Sequence, residues 1–138
     1  MTTENTLAPV LYILMRTDLA SMNPGKAVAQ GSHAANKMVY DIYDSDNDKL
    51  KELLTVWESG ANGFGTCIVL SVDGRKLDAI CGAISSFIDG VISNVIVDPT
   101  YPLKDGAVTH LIPLATCGYV FGDVNKIRPF LSGLDLMQ

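Results

Sequence analysis

Four short apolar segments, each rich in β-branched or aromatic residues, constrain the fold of this chain most strongly. Segments of this length and composition are typical of strands buried on both faces. They are VLYILMR (10–16), TCIVLSV (66–72), VISNVIV (91–97) and ATCGYVFG (115–122). Because stretches with helical spacing alternate with them, we predict an α/β fold, a three-layer sandwich with a mixed four-stranded sheet and helices on both faces.

The spacing of apolar residues also predicts four helices. The first covers about residues 24–43, with Asn23 as its N-cap. The second is DKLKELLTVWES (48–59), and the last is DVNKIRPFLSGL (123–134), for which Asp123 is a suitable cap. The third helix presents one apolar face, made of Leu77, Ile80, Cys81, Ile84, Phe87 and Ile88.

The segment DPTYPLKDGAVTHLIP (98–113) differs from the rest of the chain. It contains three prolines and a glycine, which disfavour both a helix and a central strand. We therefore predict a long loop from Asp98 to Thr116, and loops of this length are often functional.

Length, charge and cysteine usage narrow the class of protein. The 138 residues are predicted to form one domain over residues 1–138, with residues 1–8 flexible. The net charge is -5, whereas a general nucleic-acid binder is usually basic, so a phosphate-bearing ligand needs a local cluster of cations. A polar N-terminus and the lack of an apolar run of ~18 residues predict a cytoplasmic protein. The three cysteines lack metal-ligand spacing, so neither a metal nor a disulfide is expected.

The first predicted helix has two chemically different faces. At 100° per residue, one face carries Lys26, Gln30, His33 and Lys37. The opposite face is apolar or small and carries Val28, Gly31, Ala35, Met38, Val39 and Ile42. A solvated surface is one interpretation of the polar face. Lys26 favours a binding site instead, because a cation in the first turn opposes the helix dipole, and the free N–H groups there suit an anion.

The stretch YILMRTDLASMNPGKAVAQGSHAAN (12–36) resembles the N-terminal signature of the type 2 peptidyl-tRNA hydrolases, the archaeal and eukaryotic class. The matching positions are Arg16, Asp18, Leu19, Gly25, Lys26, Ala29, Gln30, Ser32, His33 and Ala34. Weaker similarity continues through Trp57-Glu58, through NVIVDPT with its Asp98, and through GYVFGD. The resemblance covers roughly residues 10–134.

The segment after Asp98 departs from the family pattern. The family has Ala-Gly-x-Thr-Gln after this aspartate, whereas Pro99, Thr100, Tyr101 and Pro102 follow it here. A proline therefore occupies the position of the family's threonine. Thr100 or Thr109 could replace that threonine.

The resemblance implies cleavage of the ester between a peptide, or an N-blocked amino acid, and tRNA. In this reaction Lys26 would face the oxyanion or a phosphate, Asp98 would orient or deprotonate the water, and His33 would position the substrate or the lysine. Ser32 and His33 are adjacent on a helix and point about 100° apart, so they do not form a catalytic dyad. The implied substrate contacts are Gln30, Ser32, Lys37, Thr100 and Arg16. No cofactor is implied, and the family's homodimers imply a homodimer here.

Some alternatives remain open from the sequence. The same pocket could bind or sequester a nucleotide, or another phosphate-bearing small molecule, without hydrolysing it. The domain could also be an interaction module that only builds a dimer. Arg16 and Asp18 could form a structural ion pair rather than contact substrate, and Asp98 could simply begin a turn.

Overall fold

The computed structural model describes residues 7–138, apart from the side chains of Ser86 and Phe87. In this part of the chain, four strands and four α-helices are interspersed along the sequence, and none of the helices is long and apolar enough to cross a membrane. The elements are β1 (Pro9–Arg16), α1 (Pro24–Asp44), α2 (Asp48–Ser59), β2 (Cys67–Val72), α3 (Gly74–Phe87), β3 (Ile92–Asp105), β4 (Val108–Asp123) and α4 (Val124–Leu131). The expected flexibility of residues 1–8 concerns mainly residues 1–6, which lie outside the described residues, as does the predicted core side chain of Phe87.

The four strands form one sheet in the order β2-β1-β4-β3. The central strand β1 runs parallel to β2 and antiparallel to β4, and β3 completes the sheet as an edge strand antiparallel to β4. Alternate side chains of β1 enter two separate cores, because successive residues of a strand point to opposite faces. Leu11, Ile13 and Met15 pack under α1 and α2, whereas Val10, Tyr12 and Leu14 pack under α3 and α4. The predicted mixed four-stranded sheet with helices on both faces is confirmed.

The loop predicted from Asp98 to Thr116 is wrong. These residues form the extended arms of the β3–β4 hairpin, and the ladder continues to the pair Asp105–Val108. The prolines suggested a loop because proline cannot donate a hydrogen bond to a ladder. Pro99 and Pro102 lie in the edge strand β3, which tolerates this loss, since one side of its backbone has no neighbouring strand. The ladder is irregular at two places, and one of them is a bulge at Pro99 and Thr100, where the register shifts between the pairs Asp98–Leu114 and Tyr101–Ile112.

The division of α1 into two faces is partly wrong. Gln30, predicted on the polar face, is only 4% exposed, and Val28, predicted on the apolar face, is 71% exposed. The buried stripe follows one i, i+4 row, so it is narrower than the predicted apolar face and rotated from it. This row consists of Gln30, Ala34, Met38 and Ile42. As a result, α1 carries an amide side chain into the interface with the sheet. The predicted N-cap is confirmed, because the Asn23 side chain accepts a hydrogen bond from the Lys26 N–H.

Candidate active site

A chain of hydrogen bonds links the sheet to α1 through Gln30. The Thr116 hydroxyl donates to Gln30 Oε1 at 2.7 Å, and Gln30 Nε2 donates to Asp98 Oδ2 at 2.7 Å. Thr116 is fully buried, so its hydroxyl has no access to water and is paired inside the protein. Because the amide oxygen of Gln30 accepts from the Thr116 hydroxyl, the amide nitrogen faces Asp98.

Local irregularity of the hairpin brings these groups together. Ile96 pairs with Cys117 and Val97 pairs with Ala115, so Thr116 is an extra residue in β4. A bulge of this kind redirects a side chain out of the regular alternation of a strand. Here the bulge coincides with the turn of the Thr116 hydroxyl toward α1.

Asp98 is held as a carboxylate. Its Oδ1 accepts the backbone N–H of Thr100 at 2.9 Å, and its Oδ2 accepts from Gln30. These two hydrogen bonds, with a smaller contribution from the charge of His33, lower the pKa of Asp98 below its usual range. An ionised carboxylate that is half-buried can accept a proton from a water molecule or orient it.

Lys26 lies one helical turn before Gln30 and also faces β3. Its Nζ is 5.0 Å from the centroid of the Tyr101 ring and 3.5 Å from the Pro102 carbonyl oxygen. The Tyr101 hydroxyl is 3.0 Å from Ser21 Oγ, and the ring is 1% exposed. Lys26 and Asp98 are therefore on the same side of the sheet, each in contact with a residue of the other's element.

A cleft of about 450 Å³ opens beside Asp98, between α1 and the start of the hairpin. It is lined by His33, Asn36, Lys37, Tyr40, Val95, Ile96, Val97, Asp98 and Pro99. Lys26 lies outside this cleft, in a neighbouring depression of about 350 Å³ that it shares with Ser21 and Lys104. The two depressions flank the contacts between α1 and β3.

Lys37 is not a free cation at this cleft. Its Nζ is 2.6 Å from Asp41 Oδ1, and the other carboxylate oxygen of Asp41 accepts from the Tyr119 hydroxyl at 2.6 Å and from Asn94 at 3.3 Å. Burial acts to raise the pKa of Asp41, but these hydrogen bonds outweigh burial and lower it. Tyr119 is fully buried, and burial together with the Asp41 carboxylate raises its pKa.

The structure separates three of the predicted site residues from this arrangement. Ser32 donates to the Val28 carbonyl of its own helix and lies on the other flank of α1, beside an apolar groove of about 560 Å³. Arg16 forms the structural ion pair with Asp18 that the sequence suggested, through two hydrogen bonds, and it also donates to the Ala115 carbonyl. Thr109 is exposed and pairs with Lys104 near the hairpin tip, far along the ladder from Asp98.

The Arg16–Asp18 pair instead fixes the end of β1 to α3. The Asp18 carboxylate also accepts the N–H of Gly74, the first residue of that helix. The hydrogen bond from Arg16 lowers the pKa of Asp18, and the same interaction raises that of Arg16. Among the described residues, no group of three His, Cys, Asp or Glu side chains is arranged to hold a metal ion.

Residues 9–109 match the model of the family described as "Peptidyl-tRNA hydrolase PTH2". The chain belongs to this family. It is also similar to a peptidyl-tRNA hydrolase from Sulfurisphaera tokodaii, with 45% identity over 51 residues. That alignment covers 37% of this chain and 41% of the relative, so the matched part spans less than half of the relative's length.

In this PTH2 chain, only Thr100 of the two candidate replacements for the family's threonine contacts Asp98, and it does so through its backbone. Thr100 donates its N–H to Asp98, while its side chain is exposed. The hydroxyl that enters the hydrogen-bond chain belongs to Thr116, which lies where the predicted loop meets the fourth predicted strand and is not among the predicted site residues. Its sole signal in the sequence was a polar residue at the beginning of an otherwise apolar strand. Tyr101 was likewise missed as a contact of Lys26.

Proposed function

We propose that this protein hydrolyses the ester that joins a peptide, or an N-blocked amino acid, to tRNA. The observation that carries the proposal is the buried Gln30, which holds the ionised Asp98 against α1 one turn from Lys26. Ester hydrolysis needs a proton acceptor for water and a positive or donating group near the developing oxyanion. Asp98 and Lys26 supply these two functions, and membership of the PTH2 family supports the same reaction.

In the proposed reaction, Asp98 orients a water molecule in the cleft and accepts its proton as the water attacks the ester carbonyl. Lys26 faces the oxyanion that forms on the carbonyl oxygen, or the adjacent phosphate of the tRNA. The bond between the acyl carbon and the ribose oxygen then breaks, and the departing ribose oxygen becomes a hydroxyl by taking up the proton that Asp98 accepted from the water. The products are the free peptide and the tRNA. Gln30 and Thr116 act through Asp98 by fixing the direction of its carboxylate.

The walls of the two depressions supply groups for substrate binding. His33 and Tyr40 border the cleft next to Asp98, where aromatic faces can stack on an unpaired base. Lys104 is exposed beside Lys26, so the two cations can meet neighbouring phosphates despite the net charge of -5. Lys37 is held by Asp41, and we therefore assign it a smaller share of phosphate binding.

Hydrolysis of an N-acetyl-aminoacyl-tRNA tests the proposal directly. We expect the wild type to release the N-acetyl amino acid, and we expect Lys26→Ala and Asp98→Asn each to lower kcat by roughly 100-fold or more. Lys76→Ala is a matched control, because it removes an exposed lysine from α3 on the opposite face of the sheet. This control should retain wild-type activity.

A wild type that leaves the ester intact, under conditions where an active peptidyl-tRNA hydrolase cleaves it, would refute the proposal. Equal activity of wild type and Asp98→Asn would refute the role of Asp98. Tight binding of the tRNA or of a mononucleotide without turnover would favour a binding protein instead.

A further inference from the structure

The β3 bulge places two side chains of the hairpin on the same helix. Asp98 contacts Gln30, and Tyr101 contacts Lys26. Residues three positions apart on a regular strand point to opposite faces of the sheet. The bulge at Pro99 and Thr100 adds one residue to β3 relative to β4, and this change of register turns Tyr101 to the face that carries Asp98.

The spacing on α1 matches this arrangement. Lys26 and Gln30 are four residues apart and lie on one side of the helix, about 6 Å from each other along the axis. The bulged segment of β3 thus contacts one turn of α1 at two residues, Lys26 and Gln30. We propose that Tyr101 is a positioning residue that fixes the Lys26 ammonium for ester hydrolysis, and this inference rests on the proposed function.

The surroundings of Tyr101 make it a rigid partner for a flexible lysine. The ring is 1% exposed, and its hydroxyl is fixed by Ser21 at 3.0 Å. The Lys26 ammonium lies 5.0 Å from the ring centroid, within the range of a cation–π contact. The Pro102 carbonyl lies 3.5 Å from the same Nζ and limits its position from a second direction. A lysine has four rotatable side-chain bonds, so holding it in one place lowers the cost of reaching the transition state.

Two substitutions at Tyr101 separate the ring from its hydroxyl. Tyr101→Phe keeps the aromatic face toward Lys26 and loses only the contact with Ser21. Tyr101→Leu removes the aromatic face. We expect Tyr101→Leu to lower kcat about tenfold with KM changed by less than about twofold, and Tyr101→Phe to stay within about threefold of wild type.

NMR of the lysine side chains measures the contact independently of activity. A ring face near an ammonium shifts the adjacent ε-methylene signal upfield, and the Lys26 signal is assigned by its loss in Lys26→Ala. We expect the upfield shift in the wild type and in Tyr101→Phe, and its loss in Tyr101→Leu.

Leu131→Ala controls for general loss of stability, because Leu131 is buried in the core on the other face of the sheet. It should lower the unfolding temperature and leave kcat unchanged. If Tyr101→Leu fails to fold, Tyr101→Met replaces it, since methionine fills an irregular space without a ring.

Three results would overturn the inference. They are an unchanged kcat in the variant without the ring, an equal loss in Tyr101→Phe and Tyr101→Leu, and a loss confined to KM. An inactive wild type would refute the proposed function and this inference with it. An active wild type together with any of the three results would refute the inference alone.

Discussion

At the scale of single residues, Gln30 fixes the orientation of the Asp98 carboxylate and helps to lower its pKa. Its amide is buried, bonded at one end to Thr116 and at the other to Asp98, so it cannot rotate without breaking both hydrogen bonds. Its donation to the carboxylate is one of the two interactions that lower the pKa of Asp98 most. Together with the Thr100 N–H, this buried amide therefore extends to lower pH the range in which the carboxylate is ionised and can accept a proton.

Gln30→Met tests this control, because methionine has a similar length and cannot donate a hydrogen bond. The substitution removes stabilisation of the ionised carboxylate, so the pKa of Asp98 should rise toward its ordinary value of 3.8. We expect the acidic limb of the kcat/KM profile to move to higher pH, with a smaller shift in the same direction for Thr116→Val. Hydrolysis rates measured between about pH 3 and 8 give the profile. An acidic limb at the same pH as in wild type would contradict this role of Gln30.

The polar residues of α1 and Asp98 could be predicted from the sequence, but the arrangement of the site could not. Lys26 and Gln30 share a helix face because helical spacing is regular, and Asp98 follows an apolar run that reads as a strand. Thr116 enters the site through a β-bulge, and no spacing rule predicts where a bulge will fall. The same limit applies to Tyr101, whose direction depends on the second bulge.

At the scale of elements, Asp41 fastens α1 to the sheet. It lies on α1, accepts from Tyr119 on β4 and Asn94 on β3, and pairs with Lys37 on its own helix. Both cleft walls are therefore joined by one carboxylate near the C-terminal end of α1. At the same scale, the sequence predicts a loop where the structure has the extended β3–β4 hairpin. The prolines Pro99 and Pro102 are compatible with an edge strand as well as with a loop, so they do not distinguish the two.

Asp41→Asn should lower the free energy of unfolding by about 1–3 kcal/mol at pH 7, since a carboxylate with three donors is replaced by an amide that accepts at one end only. Hydrogen bonds lower the pKa of folded Asp41, so its contribution is complete above the unfolded value of about 3.9 and is lost as pH falls through the folded value. Urea titrations of both proteins at several pH values should therefore converge in acid. A difference that stays constant down to about pH 2 would contradict this account.

At the scale of the whole molecule, a net charge of -5 opposes the binding of a polyanion. Binding then depends on a few cations on one side of the domain, chiefly Lys26 and Lys104, which line the same depression. Arg16 and Lys37 are already paired with carboxylates. The affinity for tRNA should consequently be moderate and sensitive to salt.

If about three phosphates are neutralised, the logarithm of tRNA affinity should fall with the logarithm of salt concentration at a slope of roughly -2 to -3. Binding of uncleaved substrate to Asp98→Asn, titrated at several salt concentrations, measures this slope. Lys104→Ala should make the slope shallower by nearly one unit, whereas Lys76→Ala should leave it unchanged. A slope near -1 that is the same with and without the Lys104→Ala substitution would indicate a small phosphate ligand in place of tRNA.

The central position of β1 has a consequence for how this protein is made on the ribosome. β1 precedes the other strands in the chain, yet its antiparallel partner β4 comes last, with Pro9 paired to Asp123. Contacts between such distant segments slow folding, because a long loop must close before they form. Until β4 has emerged, β1 has no antiparallel neighbour, and Thr116 cannot reach Gln30. A nascent chain of this protein is itself a peptide joined to tRNA, and the site that we propose to cleave that bond can assemble only after β4 has left the ribosome.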